Sequence, residues 1–100
     1  MILHLLRHSP HGDPRFASCL RSLGPNQALV LLEEAVYALL PNTPPQHSLS
    51  LLPANVRLYA LESDLAGRGL ALDDIPARVS VIHYCGLVDL CVSYDKVISW

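Results

Sequence analysis

Four short apolar runs, each bounded by residues that break regular structure, constrain the fold of this chain most tightly. Residues 2–6 (ILHLL) end at Arg7-His8-Ser9-Pro10, and residues 28–32 (ALVLL) are entered from Gly24-Pro25-Asn26. Residues 56–60 (VRLYA) and 78–82 (RVSVI) are two more, carrying β-branched residues. Apolar runs of four to eight residues between breakers suit strands buried on both faces. The tail Val97-Ile98-Ser99-Trp100 reads as a short fifth strand at a sheet edge.

Helical patterns lie between these runs. Asp13-Pro14 predicts a helix start, because Asp caps the first free N–H groups and Pro fits the first helical position. Phe16, Cys19, Leu20 and Leu23 follow at i, i+3, i+4 and i+7, which is one apolar face, and Gly24-Pro25 stops it. A second helix is expected over 33–40, with Glu33 and Glu34 at the positive end of its dipole and Pro41 as its limit. A third is expected over 62–68, closed by Gly69 in a left-handed turn, and a fourth over 84–94. The segment 41–53 (PNTPPQHSLSLLP) holds four prolines and reads as a surface loop.

Strands alternating with helices through short turns mean a parallel sheet joined by right-handed crossovers. The expected architecture is a three-layer α/β/α sandwich with a small, mostly parallel sheet of four or five strands, forming one domain over 1–100. A chain of this length buries only about 60–65% of its unfolded surface. Yet 51% of its residues are hydrophobic and only 16% are charged, against a usual charged share of about 25%. It carries more apolar side chain than a small monomer comfortably hides, so a subunit with a covered apolar face is expected.

The formal net charge is −2, and the seven basic residues are scattered. That excludes the basic stripe of a stand-alone nucleic-acid binder. Cys19, Cys85 and Cys91 make an odd count without a CxxC, so a disulfide framework is not expected and a reducing compartment is. No apolar run nears the roughly 18 residues that span a bilayer. The expected location is the cytoplasm, with no membrane contact.

The turn after the first run, residues 7–13, contains one glycine, Gly12. Neither GxGxxG nor GxxxxGK[ST] occurs, so no nucleotide cofactor is expected. His4, His8 and His11 cluster in sequence, but His4 and His8 straddle a strand end and no ligand spacing supports a metal. His8 and His11 are expected at the carboxyl edge of the sheet, where open α/β sheets place ligands. Asp73-Asp74 and Glu33-Glu34 are adjacent pairs that do not share a helix face, so neither reads as a catalytic carboxylate pair. Cys85 and Cys91 fall on different faces of the last helix, each as a small hydrophobe. Trp100 either docks on its own domain or anchors an interface.

Cys19 has two readings. A sulfur carrier accepts sulfur as a persulfide and needs a thiolate with positive charge nearby and some exposure. Arg15 lies one helical turn before it. Against this, Cys19 sits on the apolar stripe, and cysteine is among the most buried residue types.

ILHLLRHSP, ALVLLEEAVYAL, LYALESDLAGRGL and VIHYCGLVDLCVSYDKVISW, in that order, resemble the TusB/DsrH family. The resemblance runs from Ile2 to Trp100 and is weakest over 41–55. The ordered set with its terminal Trp carries it, since no single motif does. It implies a DsrE/DsrF-like fold and a place in a three-protein sulfur-relay complex. The implied partners are TusC/DsrF-like and TusD/DsrE-like subunits, arranged as a dimer of heterotrimers. In the Tus system such a complex passes persulfide sulfur toward the 2-thio group of a tRNA wobble uridine. In the Dsr system a homologous complex serves sulfur oxidation. The principal sulfur-carrying cysteine belongs to the TusD/DsrE-like partner, so TusB-like members are mainly architectural and meet tRNA only indirectly.

The resemblance also implies a role for Cys19, because DsrH-type members carry a cysteine in a similar Ser-Cys-Leu setting. That makes Cys19 the candidate catalytic residue, as an auxiliary persulfide carrier. One departure is Glu34-Ala35-Val36, where the family often reads Asp-Gly-Val. An ordinary helix start without close backbone approach is expected there. The interface is expected on the last helix (Leu87, Val88, Leu90, Val92), Trp100 and the face carrying Tyr37. An unrelated small-molecule module of the same fold, with a cleft near His8 and His11, is the alternative from a different class.

Overall fold

The computed structural model describes residues 1–100. Five strands form the sheet: β1 (Ile2–Leu6), β2 (Ala28–Leu31), β3 (Arg57–Leu61), β4 (Val79–Ile82) and β5 (Lys96–Ser99). Four α-helices connect them: α1 (Arg15–Ser22), α2 (Pro44–Ser50), α3 (Glu62–Gly67) and α4 (Tyr84–Ser93). The strand order is β4-β3-β2-β1-β5 and every neighbouring pair is parallel. This is the expected α/β sandwich with a parallel five-stranded sheet and β5 at an edge.

The topology distributes the helices unequally. From β1 to β4 the chain steps across the sheet in one direction, so right-handed crossovers put α1, α2 and α3 on one face. From β4 to β5 it returns past β1, which reverses the direction and puts α4 on the other face. The packing agrees. On the first face Leu6, Leu29, Leu31, Leu58 and Ala60 lie among Phe16, Cys19, Val36, Leu39, Leu49 and Leu65. On the second, Leu3, Leu5, Ala28, Val30 and Leu61 meet only Tyr59, Ile82 and the inner side of α4. Both faces of β1 and β2 are therefore buried, which is why these runs are apolar throughout rather than alternating.

Two segments differ from the sequence reading. Residues 33–39 form a 3₁₀ helix, not an α-helix. Three residues per turn stack Ala35 over Ala38 and Val36 over Leu39, and all four are buried. The proline-rich stretch taken for a loop contains α2. Its start is legible in hindsight: Thr43 is the N-cap, its hydroxyl accepts from the Gln46 N–H, and Pro44 opens the helix. Proline costs nothing at that position because its N–H would be unpaired anyway. Leu49 turns this helix inward and is buried.

The expected punctuation elsewhere is present. The Asp13 carboxylate accepts the Arg15 N–H at 2.9 Å as α1 begins. Beyond α3, Gly69 takes φ +74°. The Leu70 N–H bonds Leu65 O at 3.0 Å and the Gly69 N–H bonds Ala66 O at 3.2 Å. These two bonds are the Schellman pattern that satisfies the last free carbonyls of a helix.

Candidate functional site

In an open parallel sheet the favoured ligand position is the carboxyl edge where strand order reverses. Here that point lies between β1 and β5, and the chain bridges it with its own groups. Arg7 donates from its guanidinium to the Ser99 hydroxyl, and its backbone N–H reaches Trp100 O at 3.4 Å. The same guanidinium pairs with Glu33 at 3.4 Å. The ladder continues along the edge. The Glu33 N–H donates to Asp64 Oδ2 at 2.9 Å, and Arg68 joins Glu34 at 3.1 Å and Asp64 at 3.6 Å. These groups are self-paired and partly exposed, so they contribute tenths of a kcal/mol to about 1 kcal/mol each. Their main consequence is that the switch point is closed by internal partners.

The three N-terminal histidines separate. His4 is buried under the tail: the Trp100 indole N–H donates to His4 Nδ1 at 3.0 Å, and His4 Nε2 lies 2.8 Å from Gln27 Oε1. Nδ1 must be bare to accept, so the proton sits on Nε2 and is given to Gln27. The rings stack with centroids 6.1 Å apart. Trp100 thus docks on its own domain, one of its two expected places, and stays partly exposed. At the carboxyl edge His8 accepts from the Arg15 guanidinium at 2.6 Å and faces Asp13 at 3.9 Å. His11 is exposed, with its backbone N–H on the Ser9 hydroxyl.

Cys19 lies beneath α1, with 0% of its surface exposed. Burial pushes its thiol up to about 12. Arg15, expected to supply positive charge, points its guanidinium at His8 and Asp13 instead. Access and thiolate character are the two requirements of a persulfide carrier, and this position supplies neither. Cys91 is half-buried against the second core face, as expected. Cys85 departs from its reading as a small packed hydrophobe: it is exposed near the start of α4.

Helix α4 is apolar on two sides. Leu87, Leu90, Cys91 and Tyr94, spaced i, i+3, i+4 and i+7, pack on the sheet. Tyr84, Val88 and Val92, at i, i+4 and i+8, face outward and are 70%, 48% and 80% exposed. Exposed Asp89 and Ser93 flank this apolar stripe. Val97 on the adjacent edge strand adds a further exposed apolar side chain. Of the residues expected at an interface, Val88 and Val92 are available, whereas Leu87 and Leu90 point into the domain. Tyr37 is half-buried against the first core face. Tyr84 was missed, although its spacing from Val88 and Val92 would have found it.

Comparison with known proteins fits this arrangement. The family model described as DsrH like protein matches residues 8–97. The chain belongs to the DsrH family. Relatives named Protein TusB include one from Pectobacterium atrosepticum, 38% identical over 100 residues, and one from Escherichia coli K12, 33% identical over 99 residues. Each alignment covers 99% of this chain and 100% of the relative. The crystal structure of the E. coli ychN protein superposes with a TM-score of 0.85 at 23% identity, covering 99% of this chain and 97% of that one. That likeness establishes the fold.

Within this DsrH-family chain the Glu34-Ala35-Val36 departure has a clear structural outcome. Ala35 is fully buried, so its methyl fills core space. The turn is nonetheless not an ordinary helix start, because Glu33 takes the left-handed φ of +49°. A non-glycine residue there carries strain of order 1–2 kcal/mol, held by the Asp64 carboxylate on its N–H.

Proposed function

We propose that this chain is an architectural subunit of a cytoplasmic sulfur-relay complex that hands persulfide sulfur toward 2-thiolation of a tRNA wobble uridine. The observation that carries this reading is the outward stripe of α4, Tyr84, Val88 and Val92, an exposed apolar surface of the kind a protein partner covers. Support also comes from full-length relatives that carry the name TusB. In this reading the partners are TusC/DsrF-like and TusD/DsrE-like chains, arranged as a dimer of heterotrimers. The sulfur-carrying thiol belongs to the TusD/DsrE-like chain, and contact with tRNA is indirect. A cytoplasmic setting accords with three free cysteines. No helix is long and apolar enough to cross a membrane.

Cys19 enters as a packing residue of α1 rather than as a relay thiol, a reading supported by its burial and raised pKa. A second reading, a subunit of a sulfur-oxidation relay, is favoured by the DsrH description of the family model and by the Ser18-Cys19-Leu20 setting. Deletion of the gene separates the two: loss of 2-thiouridine supports the tRNA pathway, and loss of sulfur oxidation supports the other. Co-expression with the two partner chains, followed by native mass spectrometry, tests membership. A stable hetero-oligomer is expected, and a persistent lone monomer would overturn it. Intact mass after exposure to a persulfide donor should show no added sulfur at Cys19. A gain abolished by Cys19→Ser would restore the carrier role.

A further inference from the structure

Arg57, Tyr59 and Tyr94 meet where β3 begins and α4 ends. Side chains alternate along a strand, so Arg57 and Tyr59, two apart on β3, point to the same face of the sheet. Tyr59 packs in the cluster under α4, with Leu90 and Tyr94. Arg57 therefore stands on the α4 face as well. The three residues line one cleft of about 290 Å³ together with Asn26, Leu90 and Ser93. The cleft lies wholly on this face and borders α4.

The polar groups of the cleft are unspent. Arg7, Arg15 and Arg68 each pair with a carboxylate. The Arg57 guanidinium has neither a carboxylate nor a hydrogen-bond partner, and the phenols of Tyr59 and Tyr94 make no hydrogen bond within the chain. Burial and the neighbouring Tyr59 push the Tyr94 phenol up, against the pull of the Arg57 cation. The three head groups thus sense one another across the cleft. No acidic side chain lines it. Asp95, next to Tyr94, is engaged by the Met1 amino group at 2.6 Å. Ser93 is turned away, giving its hydroxyl to Leu90 O at 3.2 Å.

The donors left over are a guanidinium, two phenol O–H groups and the Asn26 amide. A tetrahedral oxyanion offers enough acceptor oxygens to use several of them at once, and a guanidinium recognises it well. Leu90 and the two aromatic rings form an apolar wall beside these donors, the usual make-up of a small-molecule site. We propose that this cleft binds a small organic phosphomonoester, with Arg57 supplying the charge, Tyr59 and Tyr94 donating hydrogen bonds, and the nonpolar body of the ligand against Leu90 and the rings. No residue of the outward stripe of α4 lines the cleft, so binding here and assembly through that stripe are separable.

The test is amide-shift titration of the full-length chain with phenyl phosphate and with inorganic phosphate, at constant ionic strength set by sodium chloride. Saturable shifts at Asn26 and at residues 57–59 and 90–94 are expected, with phenyl phosphate binding about tenfold tighter than inorganic phosphate. Arg57→Gln should weaken both by at least about tenfold, and Tyr94→Phe, which keeps the ring, by roughly two- to tenfold. Arg57 is exposed and Tyr94→Phe removes only a hydroxyl, so both variants should keep the wild-type amide spectrum away from the cleft. Arg21→Gln removes an exposed cation on α1 and should leave both affinities unchanged. Absence of saturable shifts, affinity indifferent to Arg57→Gln, or an equal loss in Arg57→Gln and Arg21→Gln would overturn the site. Equal affinity for the two phosphates would overturn its apolar wall.

Discussion

Cys19 shows how one side chain can look reactive in sequence and be enclosed in place. Its position on the Phe16–Leu23 stripe was readable, but the direction of the Arg15 side chain was not, because His8 and Asp13 compete for that guanidinium. The raised pKa has a pH consequence. Below pH 9 the thiol is protonated in both folded and unfolded chains, so its contribution to stability is constant. Between the unfolded value of 9.0 and the folded value of about 12 only the unfolded thiol ionises. Stability is therefore lost as pH rises through this window, by up to about 1.4 kcal/mol per pH unit. Chemical denaturation at pH 8 and pH 10.5 should show a larger loss for the wild type than for Cys19→Ala. In thiol-reagent kinetics at pH 8, Cys85 should react first and Cys19 only on unfolding. At the other buried polar site, Trp100→Phe keeps the ring but leaves His4 Nδ1 without a donor. Its expected cost, read by denaturant melts, is about 1–3 kcal/mol.

Among the elements, the strands were the most legible. Their apolar runs are long enough to specify two-sided burial, and breakers mark their ends. The 3₁₀ helix and α2 were less so, for physical reasons. Residues 33–39 satisfy a helical pattern at either period, and only the depth of the core decides that both rows go inward. In 41–53, prolines count as breakers everywhere except the first turn of a helix, and Thr43 places them there. Gly69 was read correctly, because a left-handed closure after α3 has few alternatives. Gly69→Ala meets no atom within 4 Å, so its cost is purely conformational, about 1 kcal/mol. A thermal melt should show a small, fully cooperative shift. A larger loss would mean that the turn has a tertiary role beyond the Schellman bonds.

At the scale of the whole molecule, a reversal of direction in the sheet leaves one helix to cover one face. That helix packs one apolar side on the sheet and leaves Tyr84, Val88 and Val92 exposed on the other. The excess of apolar residues in the composition was legible before the fold was known, but its location was not: Leu87 and Leu90 share the helix with Val88 and face the opposite way. At the switch point of the sheet Arg7 bridges to Ser99, Trp100 and Glu33. The most direct measurement is sedimentation of the chain co-expressed with its two partner chains, as wild type and as Val88→Asp. Val88 is half exposed and outside both core clusters, so the variant should keep its circular dichroism spectrum and melting midpoint. The wild type should sediment as a hetero-oligomer, and Val88→Asp as a folded, unassembled chain. A wild type that sediments alone, or a variant that assembles as tightly as the wild type, would contradict the role assigned to α4.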